Sequence, residues 1–193
     1  MNEQPSLRKI RVLDGSFSSE LTNVVNDFFE KKAVNILKEV VGSSCPARNV
    51  RMWGSIGSYA ICFRGQAAEY TGAFVDVPPP TDIVKEMTVY HQKQIKAMKD
   101  AGMFHLLFET ISSLKEAQAI CDALENHSDV KAVISFTCRK DGLSLRHGES
   151  FESAVKYILG NPKVSSHSDR VGTFLNCDNA PCVSVPKVVL APF

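Results

Sequence analysis

The sequence predicts an α/β protein built on a parallel sheet with helical crossovers, and three observations carry that prediction. Strand-like and helix-like segments alternate along the chain, the pattern of parallel strands joined by crossover helices. The strands are near-continuous apolar runs such as Phe104-His105-Leu106-Leu107-Phe108, which fit a sheet covered on its helix side. Five such strands occur in 193 residues, whereas a closed eight-stranded β/α barrel takes about 250 residues. On this arithmetic a doubly wound sheet and an incomplete barrel are both open.

The elements follow in order. Ile10 to Leu13 is a short apolar strand ending at the polar turn Asp14-Gly15-Ser16. From Ser19 to Val41, Leu21, Val25, Phe29, Ala33, Ile36 and Val40 recur at helical spacing, and Gly42 stops the run. Val50 to Gly57 reads as a second strand; Pro78 to Pro80 then bar regular structure, and Thr81 or Asp82 can cap the next helix. That helix carries Ile83, Met87, Tyr90, Ile95 and Met98 on or near one face, with Gly102 after its end. Met103 to Phe108 is the third strand, closing on Glu109-Thr110. Ser113-x-x-Glu116 is a capping box opening a helix with Ala117, Ile120, Cys121 and Leu124 inward. Val130 to Cys138 is the fourth strand. A polar loop, Arg139 to Gly148, leads to a helix with Phe151, Ala154, Val155, Ile158 and Leu159 on one side, broken at Gly160-Asn161-Pro162. Val171 to Leu175 is the last strand, ending at Asn176-Cys177.

Composition narrows the function classes. Residues 1–193 read as a single domain, with 178–193 a poorly specified tail. A net charge of +1 without a Lys/Arg block leaves no electrostatic footprint for nucleic acid or anionic lipid. No run approaches the ~18 apolar residues of a membrane span, and the first twenty residues lack a signal-peptide apolar region. The cysteines at 45, 62, 121, 138, 177 and 182 are scattered without a CxxC pair, which fits reduced thiols in a cytoplasmic protein.

Ligands of parallel α/β proteins bind at the carboxyl ends of the strands. Those ends carry Asp14, Glu109-Thr110, Ser135, Thr137 and Cys177. The plainer reading makes Asp14 and Glu109 caps of the helices that follow them, and Cys177 a small buried hydrophobe. Cys177-x4-Cys182 is not a recognised zinc spacing. Gly54-x-x-Gly57 lacks the third glycine of a dinucleotide loop and reads as a strand-end turn, and the five histidines are dispersed, each a surface or satisfied core residue.

The strand ends together resemble a known family. Leu13-Asp-Gly-Ser-Phe-Ser-Ser-Glu-Leu21, Gly54-Ser-Ile-Gly-Ser-Tyr59 with Glu69-Tyr-Thr-Gly72, and Tyr90-His91 leading to Phe108-Glu-Thr110 are similar to segments of homocysteine S-methyltransferases. So are Ile134-Ser-Phe-Thr137, Arg146-His-Gly-Glu-Ser150 and Val171-Gly172 to Asn176-Cys177, all in family order. The resemblance implies a zinc-dependent β/α barrel of the TIM type that moves a methyl group to homocysteine, giving methionine. The glycine-rich segments look like the branch using S-methylmethionine or S-adenosylmethionine, sulfonium donors, rather than betaine. A free thiol has a pKa of about 8.5, so binding its sulfur to zinc supplies the nucleophilic thiolate. By resemblance Asp14, Gly15 and Glu109 hold homocysteine, and Cys177 is the first zinc ligand.

The departures define the rest of the expectation. One early strand-helix unit and the last two strands of the family have no counterpart, so the fold expected is an incomplete (β/α)8 barrel of about five units. The Gly-Gly-Cys-Cys turn that supplies the other two zinc thiolates is absent, and Cys182 stands as a second candidate ligand. An open sheet leaves unpaired edges, which suit self-association or pairing with a full-length homologue. Two functions are therefore carried: methyl transfer, and a non-catalytic truncated relative that binds a full-length subunit or a thiol amino acid.

Overall fold

Five strands, β1 (Arg11–Leu13), β2 (Arg51–Ile56), β3 (His105–Ile111), β4 (Lys131–Thr137) and β5 (Val171–Asn176), form one sheet in the order β1-β2-β3-β4-β5. Every neighbouring pair is parallel, with Leu13 opposite Trp53, Ile56 opposite Phe108, Phe108 opposite Ile134, and Ile134 opposite Thr173. The structure is a computed structural model and describes residues 11–13, 26–44, 50–62, 68–165 and 171–176. Five helices accompany the strands: α1 (Asn26–Ser44), α2 (Ile83–Asp100), α3 (Leu114–Leu124), α4 (Phe151–Gly160) and the single turn α5 (Pro162–Ser165). A doubly wound sheet reverses its strand order at a switch point. Here each described strand lies beside the next in sequence, and no reversal occurs among them.

Side-chain alternation divides the sheet into two faces. Ile56, Leu106, Phe108, Ile134 and Phe136 share one core with Val34 of α1, Ile95 of α2, Ile120 of α3 and Ile158 of α4. All four long helices therefore pack on the same face. The alternate positions, Ser55, Glu109, Ser135 and Thr137, turn to the other face. Gly54 lies inside β2 rather than in a strand-end turn, because a Cβ there would stand 2.9 Å from Met103 Cγ and 3.0 Å from Met98 Sδ. The close packing of β2 on α2 requires the missing side chain.

Several expectations shift. The apolar stripe of α1 is rotated: Val34 is buried and Leu37 packs on the core, whereas Ile36 and Val40 are each 52% exposed. Lys38 fixes this rotation by donating from Nζ to the Ala101 carbonyl at 2.8 Å. Residues 19–25, expected to open this helix, lie outside the described residues. Of the two candidate caps of α2, Asp82 serves, accepting from Lys85 N. β3 runs on through Glu109 and Thr110 to Ile111, and in α4 Leu159 faces outward while Ala154 and Ile158 are buried.

Candidate functional site

The carboxyl end of β3 is bulged. Phe108 pairs with Ile134 and Ile111 with Phe136, so Glu109 and Thr110 together oppose the single residue Ser135. Thr110 sits at φ 63, a conformation that a β-branched residue adopts only under constraint, at a cost of about 1–3 kcal/mol. The bulge lets the strand resume pairing and presents Glu109 on the face away from the helices. There the Glu109 carboxylate accepts from the Ser55 hydroxyl at the end of β2. Glu109 caps no helix; the N-cap of α3 is Ser113, which accepts from Glu116 N at 3.2 Å. The structure thus brings Glu109, Ser135 and Thr137 to one end of one face. Asp14 and Gly15 follow the last residue of β1 in sequence, and Cys177 follows the last residue of β5. These three, with Cys182, lie outside the described residues.

Glu116 departs from the expected capping box. Its carboxylate does not return to the Ser113 backbone but lies fully buried between α2, α3 and the segment leaving β2. It accepts from Ser58 Oγ at 2.8 Å and Tyr59 N at 2.5 Å, and meets His91 Nε2 at 3.2 Å. A buried carboxylate is tolerable only with such partners. This network fixes the exit of β2, the element that places Ser55 against Glu109. His91 is thereby a core histidine held through Nε2 alone, its buried Nδ1 having no hydrogen-bond partner.

A second cluster joins the loops above the strand ends. His147 places Nε2 3.1 Å from Asp76 Oδ1 and Nδ1 2.9 Å from Glu149 Oε1. Its backbone N–H donates to Ser112 O at 3.0 Å. Glu149 Oε1 also accepts from Leu114 N at the start of α3. Gly72, at φ +75, abuts this histidine so closely that a Cβ would stand 2.6 Å from His147 Cβ. Burial alone would lower the His147 pKa, but hydrogen bonds and charge from Glu149 and Asp76 outweigh it and raise the pKa above 6.5.

Sequence reasoning missed Ser55, Ser58, Glu116, His91 and His147. Glu116 carried a signal, the capping box, that pointed to a different role. Its partners Ser58 and His91 lie 58 and 25 positions away, beyond any local pattern.

Among the described residues no group of three or more His, Cys, Asp or Glu is placed to hold a metal ion. Cys121 is buried in the helix-side core, and burial pushes its thiol up to about 12. Cys138 belongs to the same core, and burial raises the Cys62 thiol in the segment leaving β2. None of these thiols faces the Glu109 side of the sheet as a ligand set, so the described residues do not fit zinc. An open groove of about 460 Å³ beside the start of α2, lined by Tyr59, Asp82 and Glu86 among others, shares no residue with the Glu109 cluster. No described helix is long and apolar enough to cross a membrane.

Comparison with known proteins gives a consistent answer. The family model described as homocysteine S-methyltransferase matches residues 15–188. Homocysteine S-methyltransferase 1 of Zea mays is 29% identical over 150 residues, covering 77% of this chain and 42% of the relative. Betaine-homocysteine S-methyltransferase of Drosophila melanogaster is 28% identical over 158 residues, covering 77% and 46%. The chain thus spans less than half the length of these relatives. The metallated form of the homocysteine methyltransferase MmuM from Escherichia coli has a similar fold, with TM-score 0.65 at 20% identity over 86% of this chain and 66% of that one.

Proposed function

The chain belongs to the homocysteine S-methyltransferase family, and from that premise we propose that the carboxyl end of its sheet binds homocysteine and serves methyl transfer to the homocysteine sulfur. The observation that carries the reading is Glu109: a carboxylate lifted by a strained bulge onto the polar face, oriented by Ser55 and opposite Ser135. Such a group accepts hydrogen bonds from an amino acid's ammonium and fixes where its sulfur stands. Asp14 and Gly15 join it in the proposal, as the residues after β1. The fold is proposed as five units of an incomplete (β/α)8 barrel, supported by the sequential strand order and the single helix-covered face.

In the reaction, the homocysteine thiol gives up its proton to solvent, and the thiolate sulfur attacks the donor methyl in line. A carbon–sulfur bond forms to homocysteine, and the donor's own bond to that methyl breaks. With a sulfonium donor the leaving group is a neutral thioether. S-methylmethionine or S-adenosylmethionine is proposed as donor on the Gly54–Tyr59 and Glu69–Gly72 segments; the relatives themselves include one named for betaine. Cys177, with Cys182 as second candidate, is the proposed source of zinc ligation. Because the described residues do not fit the metal, no step is derived through it.

A second reading stands beside it, a non-catalytic relative that binds a full-length subunit or a thiol amino acid, for a chain that spans less than half the length of the relatives it matches. The two readings separate in one experiment on the purified chain, supplied with homocysteine and each donor in turn, with zinc counted after dialysis. Transfer predicts methionine from the sulfonium donors, none from betaine, and close to one zinc per chain. Folded protein with no methionine and no zinc sinks the transfer reading and leaves the binder. The protein is proposed to be cytoplasmic, working with reduced thiols.

A further inference from the structure

α1 packs on the sheet with one flank and leaves another uncovered. Val34 is buried and Leu37 packs on the core, while Lys38 Nζ donates to the Ala101 carbonyl after the end of α2. Ile36 and Val40 stand two positions either side of Lys38, about 160° around the helix from it. They point away from α2, and each is 52% exposed. Ala33, almost a turn before Ile36, adds a small, partly exposed side chain to the same flank. No other described helix exposes two large apolar side chains one turn apart.

Charges of opposite sign border this flank. Lys32 and Glu39 are both exposed, and two residues seven positions apart differ by only about 20° around a helix. A parallel partner helix would set Lys32 beside Lys32 and Glu39 beside Glu39. An antiparallel copy sets Lys32 against Glu39 twice. With a two-fold axis between positions 36 and 37, Ile36 of each copy flanks the axis, and Val40 of each meets the small Ala33 of the other. Lys32 and the opposing Glu39 are then offset by about 3 Å along the helices, which both long side chains can span.

We infer that α1 is a self-association surface, on which a second copy of this chain docks antiparallel through its own α1. Such an isologous contact makes each interaction twice and closes at two chains. A single helix pair buries less than the roughly 1,200–2,000 Å² of a standard stable interface, so the dimer is weak and reversible. The contact is distinct from association through the strand edges, and it does not depend on homocysteine binding.

The test is analytical ultracentrifugation of the full chain at low salt across micromolar concentrations. The wild type is expected to interconvert between one and two chains. Ile36→Asp, which places a charge beside the axis in both copies, raises the dissociation constant by about 100-fold. Lys32→Glu and Glu39→Lys each raise it by about tenfold, because each turns two attractive pairs into two repulsive ones. The double variant Lys32→Glu/Glu39→Lys restores the wild-type value, and so does an equal mixture of the two single variants. A wild type that stays monomeric throughout overturns the inference, and needs no variant to fold. A dimer indifferent to Ile36→Asp overturns it as well, and moves self-association to the strand edges. A double variant no tighter than the single ones overturns the antiparallel pairing, and the inference with it.

Discussion

Glu116 and Glu109 are both carboxylates near strand ends, and their surroundings give them different work. Glu116 is fully buried, with Ser58, Tyr59 N and His91 as partners, and no open face is left for a ligand. Removing it leaves three polar groups facing a void. Glu116→Ala is expected to cost about 3–5 kcal/mol, since breaking a buried pair abandons the other member. A urea unfolding midpoint checks this, with Glu116→Gln losing clearly less; an alanine variant within about 0.5 kcal/mol of the wild type contradicts the role. Glu109 is half-buried and open on the polar face, as a ligand-binding carboxylate must be. Its place at a strand end was legible from the apolar run that precedes it. The difference between the two acids was not legible, because it is made by contacts between segments far apart in the chain.

At the scale of elements, His147 is where three carboxyl-end connections meet: Asp76 and Gly72 from the one before α2, Ser112 and Leu114 from the one before α3, and its own loop before α4. Both ring nitrogens face carboxylates, so the imidazolium suits the site better than the neutral ring. The neighbouring charges are Asp76 and Glu149, with Arg139 donating to the His147 carbonyl at 3.1 Å. Because the folded pKa is raised above 6.5, His147 contributes stability that is fully present below about pH 6.5 and is lost as pH rises through the folded value. The melting-temperature gap between wild type and His147→Gln should therefore be widest near pH 6 and narrow by pH 9. A gap independent of pH contradicts this role for His147. Strands, the breaks after α2 and α4 and the caps Asp82 and Ser113 were legible because they depend on local chemistry, whereas α1 runs through Gly42, expected to stop it, to Ser44. The rotation of α1 was not, because two apolar stripes compete on that helix and the Lys38 contact with Ala101 decides between them.

At the scale of the whole molecule, alternation predicted a parallel sheet, but strand order is a long-range property that periodicity does not encode. The order β1 to β5 without reversal distinguishes the sheet from a doubly wound one, and it gathers every strand end along one continuous rim. The homocysteine S-methyltransferase family match runs along nearly the whole chain, while the chain spans less than half the length of its relatives. Binding by the rim is therefore the central claim, ahead of turnover. It is tested most directly by calorimetric titration of homocysteine into the purified chain and into Glu109→Gln. The account predicts saturable binding at one site per chain, weakened by about tenfold or more in the variant. No saturable binding by the folded chain, or equal affinity in Glu109→Gln, would contradict it.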